Sequence, residues 1–461
     1  MAHIRITRGL DIPILGKPAG EPQPLIGSGE AAPLKPKRIA LDLRPFGELK
    51  FKLLVKVGDV VKIGQPLIED KSCPGRMFCS PAGGVIAEEK RGLKRLLLEI
   101  IIDVAEQEER HRHQRLDVDQ ATAEELQAYL LQAGMFSKIR MRPFNLLADP
   151  ARSPKAIFVK AIESAPLVPP AEMQVQGKEE EFQAGLNALA KLTSGPVHLV
   201  YRQGSRCQAF TGARQVQKHT AEGPHPIGTP SVHIQALHPI RSATDIVWTL
   251  SAHDVVAIGY LLLHKEYLVE RVVSIAGTGV IPERTGYFKA REGMPISALI
   301  SGRIAMEPEQ RLISGDPLMG RKVESDGFLG FHHYALTIFP ENNDREFLHF
   351  FRLGASKYSF SKAYLSGHLT GREYPFTTSQ HGERRAFVDA SLYDQVMALP
   401  ISTMLLVKAV MAEDYERAER LGLLSVDSED FALATFVCPS KMEMTEIMKQ
   451  GIRQYAQEVL A

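Results

Sequence analysis

The densest group of chemically capable side chains lies between Gly134 and Asn145, in the string GMFSKIRMRPFN. Met135, Phe136, Met141 and Phe144 offer flat or soft apolar surface of the kind that flanks a planar ring. Lys138, Arg140 and Arg142 offer donors for a carbonyl oxygen, or charge for a ring anion. The competing reading is an interface loop whose arginines pair with carboxylates. A second group is His225, His233 and His238, and a third is His332-His333 beside Tyr334. One histidine can donate to a ligand or shuttle a proton, but histidines spread over loops are more often structural. A histidine pair without further ligands makes no metal site. His111 and His113 alternate with arginines in EQEERHRHQR, residues 106–115. Adjacent cations oppose metal binding there, so the stretch reads as a solvated linker. Cys73, Cys79, Cys207 and Cys438 form no C-x-x-C pair and read as reduced thiols. They cannot supply the four closely spaced thiolates of an iron–sulfur cluster. No side chain stands out as catalytic.

These groups need elements to hold them. At 461 residues the chain is too long for one core and implies several domains. Lys and Arg number 55 against 54 Asp and Glu, so no global field draws nucleic acid or an anionic membrane. The N-terminus lacks the apolar stretch of a signal peptide. The longest apolar run, Val255 to Leu263, is nine residues, against the roughly 20 a membrane-spanning helix needs. A soluble or peripheral chain is expected, with any membrane link running through a partner. Residues 1 to about 40 are rich in Pro and Gly and read as an extended arm over other domains. Val57 to Ile86 contains two short β halves that turn at Gly58-Asp59, Gly64 and Gly84. That two-fold pattern resembles the barrel-sandwich hybrid of lipoyl and biotinyl carrier domains. Lys71 lies near the carrier lysine's place, but the insert Ser72-Cys73-Pro74-Gly75-Arg76 follows it, which favours an ordinary surface lysine.

Further on, KAIFVKA (155–161), a helical pattern over Glu180–Leu192 and PVHLVY (196–201) alternate as β–α–β, predicting a parallel sheet. No G-x-G-x-x-G opens that helix and no G-x-x-x-x-G-K-[ST] exists, so NADH or ATP binding in this domain is not expected. Tyr267 to Gly320 reads as a small β-grasp module, with Gly277-Thr278-Gly279 as a hairpin turn rather than a ligand loop. The chain ends in helices, the last with Met444, Met448, Ile452, Tyr455 and Val459 on one face. The expected fold class is α/β multidomain: an arm and barrel-sandwich hybrid (1–105), a Rossmann-like α/β domain (106–265), a β-grasp, SLBB-like domain (266–328) and a C-terminal α-helical region (329–461).

Nine collinear strings sharpen the reading. They are RGLDIPI (8–14), VKVGDVVKIGQPLIEDK, CSPAGGVIAEEKRGLKRLLLEIII, RMRPFN, AIFVKAIESAPL, WTLSAHDVVAIG, YLVERVVSIAG, RLISGDPLMG and ATFVCPSK. Together the chain resembles the A subunit of the Na+-translocating NADH:quinone oxidoreductases (Na+-NQR), over nearly its whole length. The resemblance implies a peripheral protein on the cytoplasmic face of a bacterial inner membrane. It would dock mainly on the membrane-embedded B subunit of a complex whose members run from A to F. It implies a complex that couples electron transfer from NADH to ubiquinone to Na+ export. FAD, FMN, riboflavin and a 2Fe-2S cluster would lie in partner subunits, with no cofactor and no metal in this chain. It also gives the ring-flanking stretch a ligand: Phe136, Lys138, Arg140, Met141, Arg142 and Phe144 are the expected quinone contacts. An architectural likeness to the C subunit of the Rnf complex and to the flavin subunit of complex I suggests lost redox centres. The positions four, seven and ten residues before Cys438 are Ala434, Phe431 and Ser428, not cysteines. The alternatives are an Rnf-type electron-transfer protein, opposed by the cysteines, and a non-respiratory carrier or scaffold, opposed by the collinear strings.

Overall fold

The computed structural model describes residues 1–460 apart from 28–32, 306–307, 343–346 and 349–350. The barrel-sandwich unit consists of two small antiparallel sheets. One runs Arg38–Asp42, Leu97–Val104, Gly84–Arg91, Val60–Val61, and the other Phe51–Leu53, Pro66–Asp70, Met77–Cys79. Period-2 alternation sends Ile39, Leu41, Ile100 and Ile102 to the same interior as Phe46, Leu67 and Phe78. Gly58 and Gly64 take φ of 94° and 80°, a region cheap only for glycine. Lys71 is exposed in the turn between Pro66–Asp70 and Met77–Cys79, its N–H bonded to the Lys50 carbonyl at 2.9 Å. The 106–115 stretch is less solvated than its composition suggests. The N–H groups of His111 and His113 donate to the carbonyls of Ile63 and Lys265, which ties the barrel to the next domain.

That domain carries a seven-stranded sheet, in the order His3–Arg5, Gln217–Glu222, Val197–Arg202, Ala156–Ala161, Val247–Ser251, Arg140–Arg142, Leu146–Leu147. The first five strands are parallel, and the last two form an antiparallel margin. Helices Glu179–Lys191 and Ala252–His264 pack together through Gly185 and Gly259. A Cβ on Gly259 would sit 1.7 Å from the Glu181 carbonyl oxygen, so only glycine admits this approach.

The β-grasp sheet has six strands: Arg321–Val323, Gln310–Ser314, Ala335–Pro340, Glu270–Ala276, Gly286–Arg291 and Gln23–Pro24. Two of these fall outside the expected 266–328 segment. Ala335–Pro340 lies between Gln310–Ser314 and Glu270–Ala276, so the sheet continues to Pro340 and the helical region begins later than 329. Every residue from Ala335 to Phe339 is buried, with Thr337 satisfied by donating to the Gly315 carbonyl at 2.9 Å. The arm supplies the other strand, parallel to Phe288 and Lys289. Gly277-Thr278-Gly279 lies in the connection between the antiparallel strands Glu270–Ala276 and Gly286–Arg291. The C-terminal region packs helices Thr403–Met411, Tyr415–Arg420, Ala432–Val437 and Met444–Leu460. Met444, Met448, Ile452 and Tyr455 are buried, while Val459 stays exposed.

Candidate functional site

The parallel sheet has one topological switch point. From the strand Ala156–Ala161 the chain first adds Val197–Arg202 on one side and later Val247–Ser251 on the other. Open α/β sheets take ligands in the crevice beyond the carboxyl ends of two such strands. Here that crevice is lined by Lys160, Glu163, Val168, Pro169, Gln174, Ser251, His253 and Tyr334, and its cavity holds about 20 Å³. That is room for about one water, against the several hundred Å³ of an organic-cofactor pocket. Ser251 caps helix Ala252–His264 in a reciprocal box with Asp254, which the string S-A-H-D encodes. The Lys160 ammonium lies 2.8 Å from Glu163. Burial alone would depress its pKa, but Glu163 and Glu429 outweigh that and raise it. His253 is buried, makes no hydrogen bond among the described residues and packs against Tyr334. Burial, aided by the Arg271 and Lys138 charges, holds it neutral, well below the usual histidine range.

The other flank of Val247–Ser251 carries the ring-flanking stretch. Gly134 ends the preceding helix at φ 77°, and Met135–Lys138 forms a single 3-10 turn before the strand Arg140–Arg142. Alternation along that strand points Met141 to one face and both arginines to the other. The six expected contacts therefore do not converge on one slot. Phe136 and Met141 enter the α/β core, Phe136 edge-on to Trp248 at 5.6 Å. Lys138 reaches the β-grasp module, 3.2 Å from Glu292, which also binds Arg271 at 2.9 Å. Arg142 is buried with its Nη2 on Ser231 Oγ at 3.0 Å, and Phe144 packs edge-on against Tyr455. Phe144 and Asn145 both have positive φ, and Asn145 Nδ2 donates to Asp427 at 2.6 Å.

Arg140 differs from the other five. It is half-buried, and no carboxylate lies within ion-pair reach among the described residues. Its Nη2 donates to His332 Nε2 at 2.8 Å. The proton of His332 is therefore on Nδ1 and the ring is neutral. Burial and the Arg140 charge hold it well below the usual histidine range. The Arg140 guanidinium lies 5.4 Å from the centre of the Phe46 ring, and His332 meets the same ring edge-on at 5.7 Å. Phe46 belongs to the barrel, Arg140 to the α/β domain and His332 to the segment before Ala335–Pro340. Phe46 is fully buried, so the part of this group that reaches outward is the half-buried Arg140 donor with His332. Sequence reading did not connect Phe46 to this group, and only the tertiary fold brings it there.

The remaining histidines are engaged separately, and His233 lies within the helix Pro230–Leu237 rather than in a loop. His225 Nδ1 meets Ser164 Oγ at 3.0 Å, His233 Nε2 donates to the Ile227 carbonyl at 2.7 Å, and His333 Nδ1 meets Ser314 Oγ at 2.8 Å. Burial holds all three at a pKa of about 4. His238 lies instead near His198, ring centres 6.5 Å apart. Behind Arg142, the C-terminal segment presents Asp427, Glu429 and Asp430. Burial and the Asp427 charge push Glu429 up to about 8. Burial pushes Asp430 up to about 6, against the pull of Arg142.

Fold and site together define a class: a barrel-sandwich head, a Rossmann-like domain with a closed switch point, a β-grasp module and a helical end. Family models agree in chain order. The NqrA N-terminal barrel-sandwich hybrid domain matches residues 4–105, the NqrA second alpha/beta domain 121–267, and the NQRA C-terminal domain 272–325. The A subunit of the Na(+)-translocating NADH-quinone reductase of Cellvibrio japonicus is 36% identical over 458 residues, covering 99% of this chain and 100% of its own. Its counterpart in Chlamydia trachomatis serovar L2 is 35% identical over 465 residues, with 99% and 98% covered. The chain belongs to this family, the A subunits of Na(+)-translocating NADH-quinone reductases.

Proposed function

We propose that this chain is the peripheral A subunit of a Na+-translocating NADH:ubiquinone reductase and that it contributes to quinone binding and assembly without a redox centre of its own. Electron carriers (FAD, FMN, riboflavin and 2Fe-2S) reside in partner subunits. Among the B to F subunits, the membrane-embedded B is the main docking partner, on the cytoplasmic face. The observation that carries the quinone reading is Arg140: a cation with no carboxylate within ion-pair reach among the described residues, set beside the Phe46 ring and neutral His332. A quinone ring carbonyl accepting from this guanidinium gains a charge-assisted hydrogen bond, and any ring anion gains more. Within the stretch 134–145, Arg140 is the proposed donor. Phe136, Lys138, Met141, Arg142 and Phe144 hold the strand and its surroundings in place. The 20 Å³ crevice and the absence of a glycine-rich turn support the reading that no flavin is held here.

The test is photoaffinity labelling of the assembled complex with an azido-ubiquinone, followed by peptide mapping. Label within 134–145 or at Phe46 or His332 is expected. Label confined to other segments or other subunits removes this site. Absorbance of the isolated chain tests the cofactor assignment separately, since a bound flavin or iron–sulfur band contradicts it.

A further inference from the structure

Large exposed apolar side chains concentrate just after the β-grasp sheet. Phe351 is 82% exposed, Phe347 81% and Leu353 73%, with Leu348 and Leu365 also exposed. They are not scattered ends. The Leu365 N–H donates to the Leu353 carbonyl at 2.9 Å, and that of Phe351 to Leu348 at 3.0 Å, which gathers these residues into one tied loop. The loop is anchored from beneath by its other aromatic residues. Tyr358 stacks on Phe436, ring centres 5.8 Å apart, and lies 5.4 Å from Phe376 and 5.6 Å from Tyr374. The Tyr374 hydroxyl donates to the Ser366 carbonyl at 3.1 Å. One set of rings thus fixes the loop to the helical region while another set faces water. Apolar area of this kind marks a contact surface.

Its charge is equally biased. From Phe347 to Arg372 the chain has Arg352, Lys357, Lys362 and Arg372 and no Asp or Glu; Glu346 and Glu373 flank the stretch. Over the whole chain the two signs balance, 55 against 54. We propose that this loop lies on the surface of an anionic bilayer, its Phe and Leu side chains in the headgroup–acyl boundary and its lysines and arginines on lipid phosphates. Outward Phe and Leu beside Lys and Arg is the chemistry of an interfacial segment, and each basic residue near an anionic leaflet adds attraction. A protein partner is the poorer fit, because lysine is depleted from protein–protein interfaces and two of the four cations are lysines. The exposed apolar residues of the barrel give the contrast. Leu54, Val57, Val60 and Val85 are aliphatic, and Lys56 and Asp59 stand among them. No described helix is long and apolar enough to cross a membrane, so this contact lies on the bilayer. It adds a direct anchor to the one expected through a partner, and it does not depend on the quinone reading.

Flotation of the full chain with vesicles of equimolar phosphatidylglycerol and phosphatidylethanolamine, against vesicles of phosphatidylcholine, tests it. Binding to the anionic vesicles that weakens with salt is expected, with little binding to the neutral ones. The triple variant F347S/F351S/L353S, at unchanged Tm, is expected to partition on the order of tenfold or more weakly. K357Q/K362Q is expected to lose mainly the salt-dependent part. Absence of binding to anionic vesicles overturns the proposal, as does binding that both variants leave unchanged. Loss of co-purification with the membrane subunits by the triple variant, when the full chain binds no vesicles, assigns the surface to a protein partner instead.

Discussion

One strand, Val247–Ser251, separates two regions that a ligand could use, and they are built on opposite lines. On its parallel side is the switch-point crevice, where this kind of sheet usually takes its cofactor. There Lys160 has Glu163, Ser251 has Asp254, and about 20 Å³ is left. On its antiparallel side is the domain seam, where Arg140, without an ion-pair partner among the described residues, meets a neutral imidazole and a ring. The crevice is inherited from the fold and filled by side chains. The seam exists only because three parts of the chain meet there. A fold-favoured position can therefore be chemically quiet, and the proposed ligand group lies where domains join.

The comparison can be broken in order of expected effect. Glu292→Leu strikes the seam's support: it strands Lys138 and Arg271 as buried cations. A loss of about 3–5 kcal/mol is expected, measured by denaturant unfolding of the isolated chain. A loss below about 1 kcal/mol would show that the seam does not depend on that carboxylate. Arg140→Met removes a charge-assisted bond to the proposed ligand, so the assembled complex should show a KM for ubiquinone raised about 10–100-fold. Arg140→Lys should recover part of it. An unchanged KM in Arg140→Met would remove the functional distinction between the two flanks.

The third prediction concerns the carboxylates behind Arg142. Glu429, pushed up to about 8, binds a proton in the folded chain over a pH range where the unfolded carboxyl, near its ordinary value of 4.5, has lost it. Stability from this group therefore falls as pH rises from about 4.5 through 8. Glu429→Gln should raise Tm at pH 8 and have little effect at pH 4.5, read by thermal melts at both values. A gain that is the same at both would refute the shift. The smallest effect is expected in the crevice. His253→Leu replaces a buried ring that makes no hydrogen bond among the described residues, so stability should change by less than about 1 kcal/mol, in the stabilising direction. The ubiquinone KM of the complex should stay unchanged. A His253→Leu complex that loses quinone reduction would move the ligand from the seam to the crevice.

Much of this architecture was legible in the sequence because its signals are local. The glycine turns of the barrel, the 3.6-residue face of Glu179–Lys191 and the alternation in Ala156–Ala161 each lie within one short window. What the sequence hid depends on distant partners. His3–Arg5 and Gln23–Pro24 are strands of three and two residues, too short to show any period. Ala335–Pro340 declares its sheet only by pairing with Glu270–Ala276. At the site, the composition of 134–145 was visible, but its distribution over four surroundings was not. Arg140 meets His332 across 192 residues of sequence, and no spacing rule reaches that far.

The N-terminal arm carries a consequence for how the molecule is made. Its first strand waits for Gln217–Glu222, its second for Gly286–Arg291, and Ile14 bridges to Tyr374. The arm residues thus pair only with segments synthesised well after them. The two arm strands stay unpaired until residues 217–222 and 286–291 have been made. Such long-range closure slows folding, because the arm cannot settle before its distant partners exist.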